Sequence, residues 1–545
     1  DTIVLKGHNG KTGTSYTFSP EGRWLCFWDD DEGNYYSIDP VTGRTVNMTM
    51  GLPVSVANET YQLVGLGPVG MAGWLKGDHF VLIYDNYDIW RIDPAGKQAP
   101  VNLTGGYGRA HEIKFRLVRE GQSVLNGYEE LLLTAYNRKT GENGFFKLQL
   151  DRVGSLQLLT MGPYLYYLTE SQKEHGYTFG DGMIPLINGK DKNRRWVVLR
   201  QSASEYPNLF VSTDLKKFIP LTNLEPQKNY NWITAERLTW TMPNGTVNRG
   251  ILYKPENFDS TKKYPIIFNY YEKLSHRLHQ FPQPQLTSDN INIPWFVIRG
   301  YLVCTPDIQY TVAASSGGYP ITEAATMAVV SAARYLSHRI YIDSTHMAIQ
   351  GHSFGGHETN GIITQTKLFA AAAEMAGYSD PMSAYLMLHR DEDGNSHKID
   401  HFNQRMGATP WERPELYQRN SPVLNADKVT TPLFIVHNKK DASVNFRQGV
   451  EMFMALRRLG KPCWMLQYDN SSHGLISKTD ALDYTVRLTE YFDHYLKGNP
   501  APKWMTMNSL AAYKGKNNLY GLDSSGSCMR GCKVCNEWNA KHTST

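Results

Sequence analysis

The chain has 545 residues, 41% of them hydrophobic, enough to bury more than one core. Its net charge of +4 is small for that length, so the charge balance argues for no nucleic-acid partner, and no apolar run of about 18 residues exists to span a membrane. The 33 tyrosines and 12 tryptophans suit aromatic-rich β-sheets.

The first 225 residues carry an internal repeat. Four segments share one layout: an aromatic-containing strand, a polar turn, and a second strand closing on an apolar residue and a threonine. They run from Tyr35-Tyr36-Ser37-Ile38-Asp39 to Met48-Thr49, and from Ile89-Trp90-Arg91-Ile92-Asp93 to Leu103-Thr104. The third runs from Phe145-Phe146-Lys147-Leu148 to Leu159-Thr160, and the fourth from Leu209-Phe210-Val211-Ser212 to Leu221-Thr222. The closing threonines recur every 55 to 62 residues, a period that holds about four strands, one blade of a β-propeller. The turns Asp39-Pro40-Val41-Thr42-Gly43 and Asp93-Pro94-Ala95-Gly96 supply the hairpin chemistry. A generic antiparallel sandwich is the alternative.

Residues 226–250 read as a crossing segment. Beyond them short apolar strands alternate with helices, the pattern of a parallel α/β sheet. Strands are predicted over 250–254, 264–271, 301–305, 347–350 and 370–375, with an alanine-rich helix over 321–336. The charged, glycine-containing stretch 391–400 reads as a surface loop.

The strand at 347–350 runs into Gly351-His352-Ser353-Phe354-Gly355-Gly356, and a helix-compatible stretch follows. This Gly-x-Ser-x-Gly is the pattern of a nucleophile elbow. A serine on so tight a strand-to-helix turn leaves no room for a Cβ two positions before or after it. The strain exposes its hydroxyl and aims backbone N–H groups at an incoming oxyanion. The acid and the histidine of such a site follow in the order Ser, Asp, His. Pro432-Leu433-Phe434-Ile435-Val436-His437 reads as a buried strand, and Asp441 stands in the loop after it, 88 residues beyond the serine. A helix over 444–460 leads to the strand Cys463-Trp464-Met465-Leu466-Gln467-Tyr468, whose following loop carries His473. Strand ends of this kind are where α/β folds put working residues. Ser353, Asp441 and His473 are therefore the catalytic candidates among 17 histidines and many acids.

With these pieces in place, roughly residues 230–500 resemble the prolyl oligopeptidase family of serine peptidases, in its dipeptidyl-peptidase/acylaminoacyl-peptidase branch. The matching segments are Gly351-His352-Ser353-Phe354-Gly355-Gly356, His437-Asn438-Lys439-Lys440-Asp441-Ala442-Ser443-Val444 and Ser472-His473-Gly474. Tyr264-Pro265-Ile266-Ile267-Phe268-Asn269-Tyr270-Tyr271 and the stretch from Met406-Gly407 through Trp411-Glu412 to Ser421-Pro422 are similar too. The resemblance implies an α/β-hydrolase domain preceded by a β-propeller. It also implies an oxyanion site made by a tyrosine after the 264–271 strand and by the N–H of the residue after the serine. By position these are Tyr271, with Tyr270 competing, and Phe354. Phe354, Tyr378 and Val444 are candidate walls of a compact pocket for proline or a small residue, and all three also read as ordinary core.

Some features depart from the family. Ser443 stands where dipeptidyl peptidases carry another polar residue, often Asn, and Phe354 replaces the commoner Tyr or Trp. The glutamate pair that clamps a free amino terminus is not identifiable; Glu129-Glu130 reads better as charges at a blade edge. Only four blades are visible where the family has seven or eight, and the chain opens at Asp1 in blade-like sequence. We therefore expect a partial propeller, about four blades, lacking its front.

Cys26, Cys304 and Cys463 lie in apolar strands and read as small core residues. Cys528, Cys532 and Cys535, with His542 nearby, form C-x3-C-x2-C near the end. A small zinc or iron–sulfur knuckle is one reading, and a tail with reactive thiols is the favoured one. The expected organisation is a partial β-propeller over 1–225, an α/β-hydrolase over 226–500 and a tail over 501–545. The expected function is a serine peptidase acting on short peptides, with preference near proline or small residues, needing no metal or cofactor. An acyl-ester hydrolase with the same triad and an inactive propeller-based binding protein are the alternatives. A homodimer is left open, and a periplasmic or extracellular place is favoured over a cytoplasmic one.

Overall fold

A computed structural model describes residues 16–29, 32–58, 67–118, 124–166, 187–188, 195–310, 321–387, 406, 408–507 and 518–523. The chain divides into two units, Asp1–Pro226 with His279–Phe281, and Gln227–Leu278 with Pro282–Thr545. The stretch 391–400, Cys528, Cys532, Cys535 and His542 lie outside the described residues.

In the first unit each repeat is the last strand pair of an antiparallel meander. The first meander runs Thr17–Phe18, Leu25–Asp29, Asn34–Ile38, Thr45–Asn47, and the second Met71–Leu75, Val81–Tyr84, Ile89–Ile92, Val101–Asn102. The third runs Ile113–Leu117, Glu130–Asn137, Asn143–Gln149, Gln157–Gly162, and the fourth Ile187–Asn188, Trp196–Arg200, Asn208–Ser212, Ile219–Pro220. A further short strand, Val124–Leu125, pairs in parallel with Met71–Leu75 of the second meander.

The repeated threonine has a physical role in three of the four meanders. Thr49 Oγ1 accepts the Tyr35 N–H at 2.9 Å and donates to Asn34 Oδ1 at 2.8 Å. Thr104 does the same with Ile89 at 3.2 Å and Asp88 at 2.6 Å, and Thr222 with Leu209 at 2.9 Å and Asn208 at 2.8 Å. One hydroxyl thus satisfies a strand end that the ladder leaves open. Thr160 takes a different place, opposite Phe145 beside a register shift in the ladder.

Alternating residues of each strand pack one sheet on the next. Trp28, Tyr35 and Met48 of the first meander share a core with Trp74, Ile83 and Trp90 of the second. The other face of the second, with Ala72, Leu82 and Ile89, packs on Phe115, Leu133 and Phe146 of the third. Phe145, from the opposite face of the third, joins Val198 of the fourth. Successive sheets stacked face to face in this way are how propeller blades bury their apolar residues.

The second unit is built on one eight-stranded sheet. Its strands are β1 (Ile233–Thr241), β2 (Val247–Pro255), β3 (Tyr264–Tyr270), β4 (Leu302–Pro306), β5 (Ile342–His352), β6 (Ala371–Met375), β7 (Leu433–Val436) and β8 (Cys463–Leu466). Their order across the sheet is β1-β2-β4-β3-β5-β6-β7-β8. The β1–β2 and β2–β4 pairs are antiparallel and all others parallel. Strands β6 and β7 read as unbroken apolar runs, apart from Glu374, because both faces are buried. Helix α1 (Ile321–Ser337) buries Ala324, Ala325, Ala328, Ala332 and Ala333, small residues that let it lie close to the sheet. The other main helices are α2 (Phe354–Gln365), α3 (Arg447–Arg458) and α4 (Lys478–Lys497).

One expectation needs correction. The crossing segment 226–250 contains β1 and the start of β2, paired through nine residues. Leu238, Trp240 and Met242 alternate inward with polar or exposed residues between them, but Glu236 and Arg237 interrupt the pattern earlier in the strand. The sequence reading named no element after His473, where α4 follows. It buries Tyr484, Leu488, Tyr491 and Phe492, starts at an Ser477 cap and stops at Gly498 with φ 72°. Cys26, Cys304 and Cys463 are free and buried, and burial pushes the Cys26 thiol up to about 12. Among the described residues no helix is long and apolar enough to cross a membrane.

Candidate active site

Ser353 sits between the end of β5 and the start of α2 with φ 57° and ψ −116°, a backbone region that a residue with a Cβ enters only under constraint. The constraint is visible atom by atom. A Cβ on Gly351 would stand 2.1 Å from the Gly355 carbonyl oxygen, and one on Gly355 would stand 2.6 Å from the Tyr270 oxygen. A Cβ on Gly356 would meet Gly377 Cα at 2.8 Å. The Ser353 N–H donates to Met375 O at 2.8 Å, tying the turn to the end of β6.

Asp441 lies in the loop after β7, its carboxylate wholly buried. Its Oδ1 accepts the N–H groups of Ser443 and Val444, both at 2.8 Å. His473 Nδ1 approaches its two oxygens at 3.0 and 2.9 Å, and His473 Nε2 stands 2.8 Å from Ser353 Oγ. Burial alone would raise the Asp441 carboxyl. Hydrogen bonding from His437 and His473 outweighs it and holds the group well below the ordinary carboxylate range. The three residues predicted as a triad are therefore one hydrogen-bonded line, with the acid charged and the imidazole between the carboxylate and the serine hydroxyl.

Several residues that the sequence reading passed over hold this line in place. Asn438 bridges the acid and histidine loops: its Nδ2 donates to Ser472 O at 2.9 Å and its Oδ1 accepts the Tyr468 N–H at 2.9 Å. The histidine loop is also held by the Leu475 N–H, which donates to Ser288 O at 2.9 Å. His352, inside the serine motif, pairs its Nε2 with His473 O at 2.9 Å. Burial, then the charge of His473, pushes the His352 imidazole down to about 4, so near neutral pH it is an uncharged ring whose Nε2–H donates to that carbonyl. The only signals for these residues were their positions beside the triad, since each acts through loops distant in sequence.

The two competing tyrosines separate clearly. Tyr270 is 1% exposed, and its hydroxyl is 2.9 Å from Thr359 Oγ1 on α2, so it is committed to the core. Tyr271 is half-buried at the edge of that core. Asp307, just beyond β4, fixes the loop that follows: it accepts the Leu274 and Ser275 N–H groups at 2.7 and 2.8 Å and the Ser275 hydroxyl at 2.6 Å. Phe354 opens α2, where the helix itself offers its N–H no acceptor and the helix dipole favours negative charge. Its ring packs edge-on against Tyr310 at 5.9 Å.

Tyr378 is 8% exposed and Val444 1%, and both belong to the hydrophobic core of this unit. Tyr378 donates to Ser443 O at 3.3 Å, and Val444 works through its backbone at Asp441. Neither side chain, as placed, offers much surface to a ligand. Glu130 ion-pairs with Lys147 at 2.6 Å on an exposed strand face of the first unit. Among the described residues no cluster of three or more His, Cys, Asp or Glu is arranged to hold a metal ion.

Residues 322–499 match the profile of the prolyl oligopeptidase family. The chain is 22% identical over 376 residues to dipeptidyl-peptidase 5 of Schizosaccharomyces pombe, a match covering 66% of this chain and 50% of that protein. It is 26% identical over 357 residues to dipeptidyl-peptidase 5 of Porphyromonas endodontalis, covering 61% and 48%. The chain thus spans about half the length of these curated relatives. Among solved structures, a puromycin hydrolase superposes with a TM-score of 0.61 at 16% identity, over 88% of this chain and 69% of its own, which speaks for the fold. That fold is a propeller combined with an α/β-hydrolase. The match to the prolyl oligopeptidase family thus falls within the second unit of this chain, the unit that carries Ser353, Asp441 and His473.

Proposed function

We propose that the chain is a serine peptidase that cleaves short peptides by acyl transfer. The observation that carries this reading is the unbroken line from Asp441 through His473 to Ser353, with contacts of 2.9 and 2.8 Å. His473 Nδ1–H donates to Asp441, which leaves Nε2 to accept the Ser353 hydroxyl proton. Ser353 Oγ then bonds to the peptide carbonyl carbon. The oxyanion that forms takes hydrogen bonds from the Phe354 N–H and the Tyr271 hydroxyl. His473 returns the proton to the leaving amine, and water, deprotonated by the same ring, releases the acyl group. The four meanders are read as blades of an incomplete propeller. Phe354, Tyr378 and Val444 would wall a compact site if the Tyr378 ring turns toward a bound substrate, which is the basis for a preference near proline or small residues.

A panel of peptide anilides, with free and blocked amino termini, set against short acyl esters tests this reading. It predicts turnover of anilides with proline or a small residue before the scissile bond. Turnover of esters alone would replace it with an acyl-ester hydrolase. Preference for a free amino terminus would extend to this chain what the two relatives' names say of them.

A further inference from the structure

Behind Asp441 lies a second buried imidazole. His437, the residue after β7, is wholly buried, and its Nε2 stands 3.0 Å from Val444 O and 3.4 Å from Asp441 Oδ2. Both neighbours are acceptors, so this nitrogen carries a proton and donates to them. Asp441 therefore has an imidazole on each side, His473 toward the serine and His437 toward the interior. The ring has no freedom to turn away, because α3 presses on it through a glycine: a Cβ on Gly449 would stand 2.7 Å from His437 Nδ1.

A buried carboxyl stands close to this imidazole. Glu374 on β6 is wholly buried in an otherwise apolar strand, and its register partner on β7 is Ile435, two residues before His437. Its Oε2 accepts the Gly377 N–H at 2.8 Å. That oxygen occupies a notch where a Cβ on Gly377 would come within 2.7 Å and one on Gly356 within 3.0 Å. Gly356 is the last glycine of the serine motif, so the same carboxyl underlies the nucleophile turn. Neither Glu374 Oε1 nor His437 Nδ1 meets a hydrogen-bond partner in ordinary geometry among the described residues, although the Asn360 side chain lies near enough to Glu374 to pull its carboxyl down. An acid and an imidazole with spare polar atoms, both out of water, are costly unless they offset one another.

We propose that His437, with Glu374 as its counter-group, is a positioning residue that fixes the Asp441 carboxylate toward His473. The inference rests on the peptidase reading above. In direction it agrees with the electrostatics. Burial would lower His437, yet Asp441 and Glu374 together raise it above its ordinary value, while burial raises Glu374 to about 7 against the pull of His437. Without His437 the rear of Asp441 loses a donor, the carboxylate can swing, and the imidazole of His473 is no longer aimed at Ser353. Misplacement on the order of 1 Å at such a site costs about 10²-fold in rate.

The test is steady-state kinetics of His437→Leu, His437→Gln and Glu374→Gln on one peptide anilide, with Ser353 labelling by a fluorophosphonate in the wild type as reference. Leu removes the donor, whereas Gln places an amide N–H near the position of Nε2. We expect kcat of His437→Leu to fall about 10–100-fold with KM within about twofold. His437→Gln should recover at least a tenfold part of that loss, and Glu374→Gln should lose severalfold in kcat. Should His437→Leu fail to fold, His437→Gln and Glu374→Gln decide the matter: wild-type kcat in Glu374→Gln together with a 100-fold loss in His437→Gln would overturn the proposal. Wild-type kcat in folded His437→Leu would overturn it too, with the peptidase reading intact. A wild type that takes no label would sink both.

Discussion

In the first unit a strand end is closed from its own hairpin. Thr104 reaches back 16 residues to Asp88, and its hydroxyl satisfies the backbone beside it. In the second unit the ends of β5, β7 and β8 are closed by one another. Ser353 and His473 meet across 120 residues, and Asn438 binds the loops after β7 and β8 together. Local closure makes the strand end of each such meander independent of the loops of the others. Closure between strand ends makes the site precise but exposes it to single substitutions, because each loop is held by the others. The two units should therefore respond differently to mutation: graded loss of stability in one, large loss of rate in the other.

The sharpest contrast is Asp441→Asn. It keeps the size of the side chain and the fold, but the amide can no longer hold the His473 tautomer, so kcat should fall about 10⁴-fold. Kinetics on a peptide anilide, with circular dichroism to check folding, measures it. Next comes Tyr271→Phe, expected to cost about 10²–10³ in kcat if its hydroxyl meets the oxyanion. Tyr270→Phe is its internal control. It breaks the bond to Thr359 and should lower stability by about 1 kcal/mol while turnover per folded molecule holds. Equal losses in the two variants would contradict the assignment.

A pH series separates the two buried acids. The Asp441 carboxyl is held below its ordinary value of about 3.9, so the stability it adds is present above that value and lost only as pH falls through the lower folded one. Glu374 is the reverse case. Burial raises it to about 7, so its contribution is full below the unfolded value of about 4.3 and is lost as pH rises through about 7. Urea melts of Glu374→Gln should accordingly lose less stability than the wild type between pH 5 and 8. A parallel decline in both proteins would mean that Glu374 does not titrate there. The smallest effect belongs to the first unit: Thr104→Val should cost about 1 kcal/mol, read in the same melts, with kcat unchanged.

The same contrast explains what could be read from the sequence. The repeat was legible because Thr49, Thr104 and Thr222 answer a local need at a regular spacing, and Thr160 kept the spacing while taking another role. The line from Ser353 to Asp441 was legible because the elbow glycines form a short local pattern and because chain order restricts the acid and the histidine. Only Gly351 is forced from within the turn, while Gly355 and Gly356 are forced by Tyr270 and Gly377. Other parts depend on neighbours far along the chain. Tyr270 and Tyr271 are adjacent and chemically alike, and only the reach of Thr359 from α2 tells them apart. His437 read as the last residue of a strand, and Glu374 lay unremarked within the strand predicted over 370–375, because their relation to Asp441 exists only once β6 and β7 lie side by side. β1 was missed because Glu236 and Arg237 hide an alternation that the pairing with β2 makes plain.

The central claim is that Ser353 is a nucleophile activated by His473. Fluorophosphonate labelling of the purified chain, followed by peptide mapping, tests it most directly, with Ser353→Ala and His473→Ala alongside. The account predicts one label per chain on Ser353, absent from Ser353→Ala and at least about 10³-fold slower in His473→Ala. A well-folded chain that takes no label, or one labelled equally fast without His473, would contradict it.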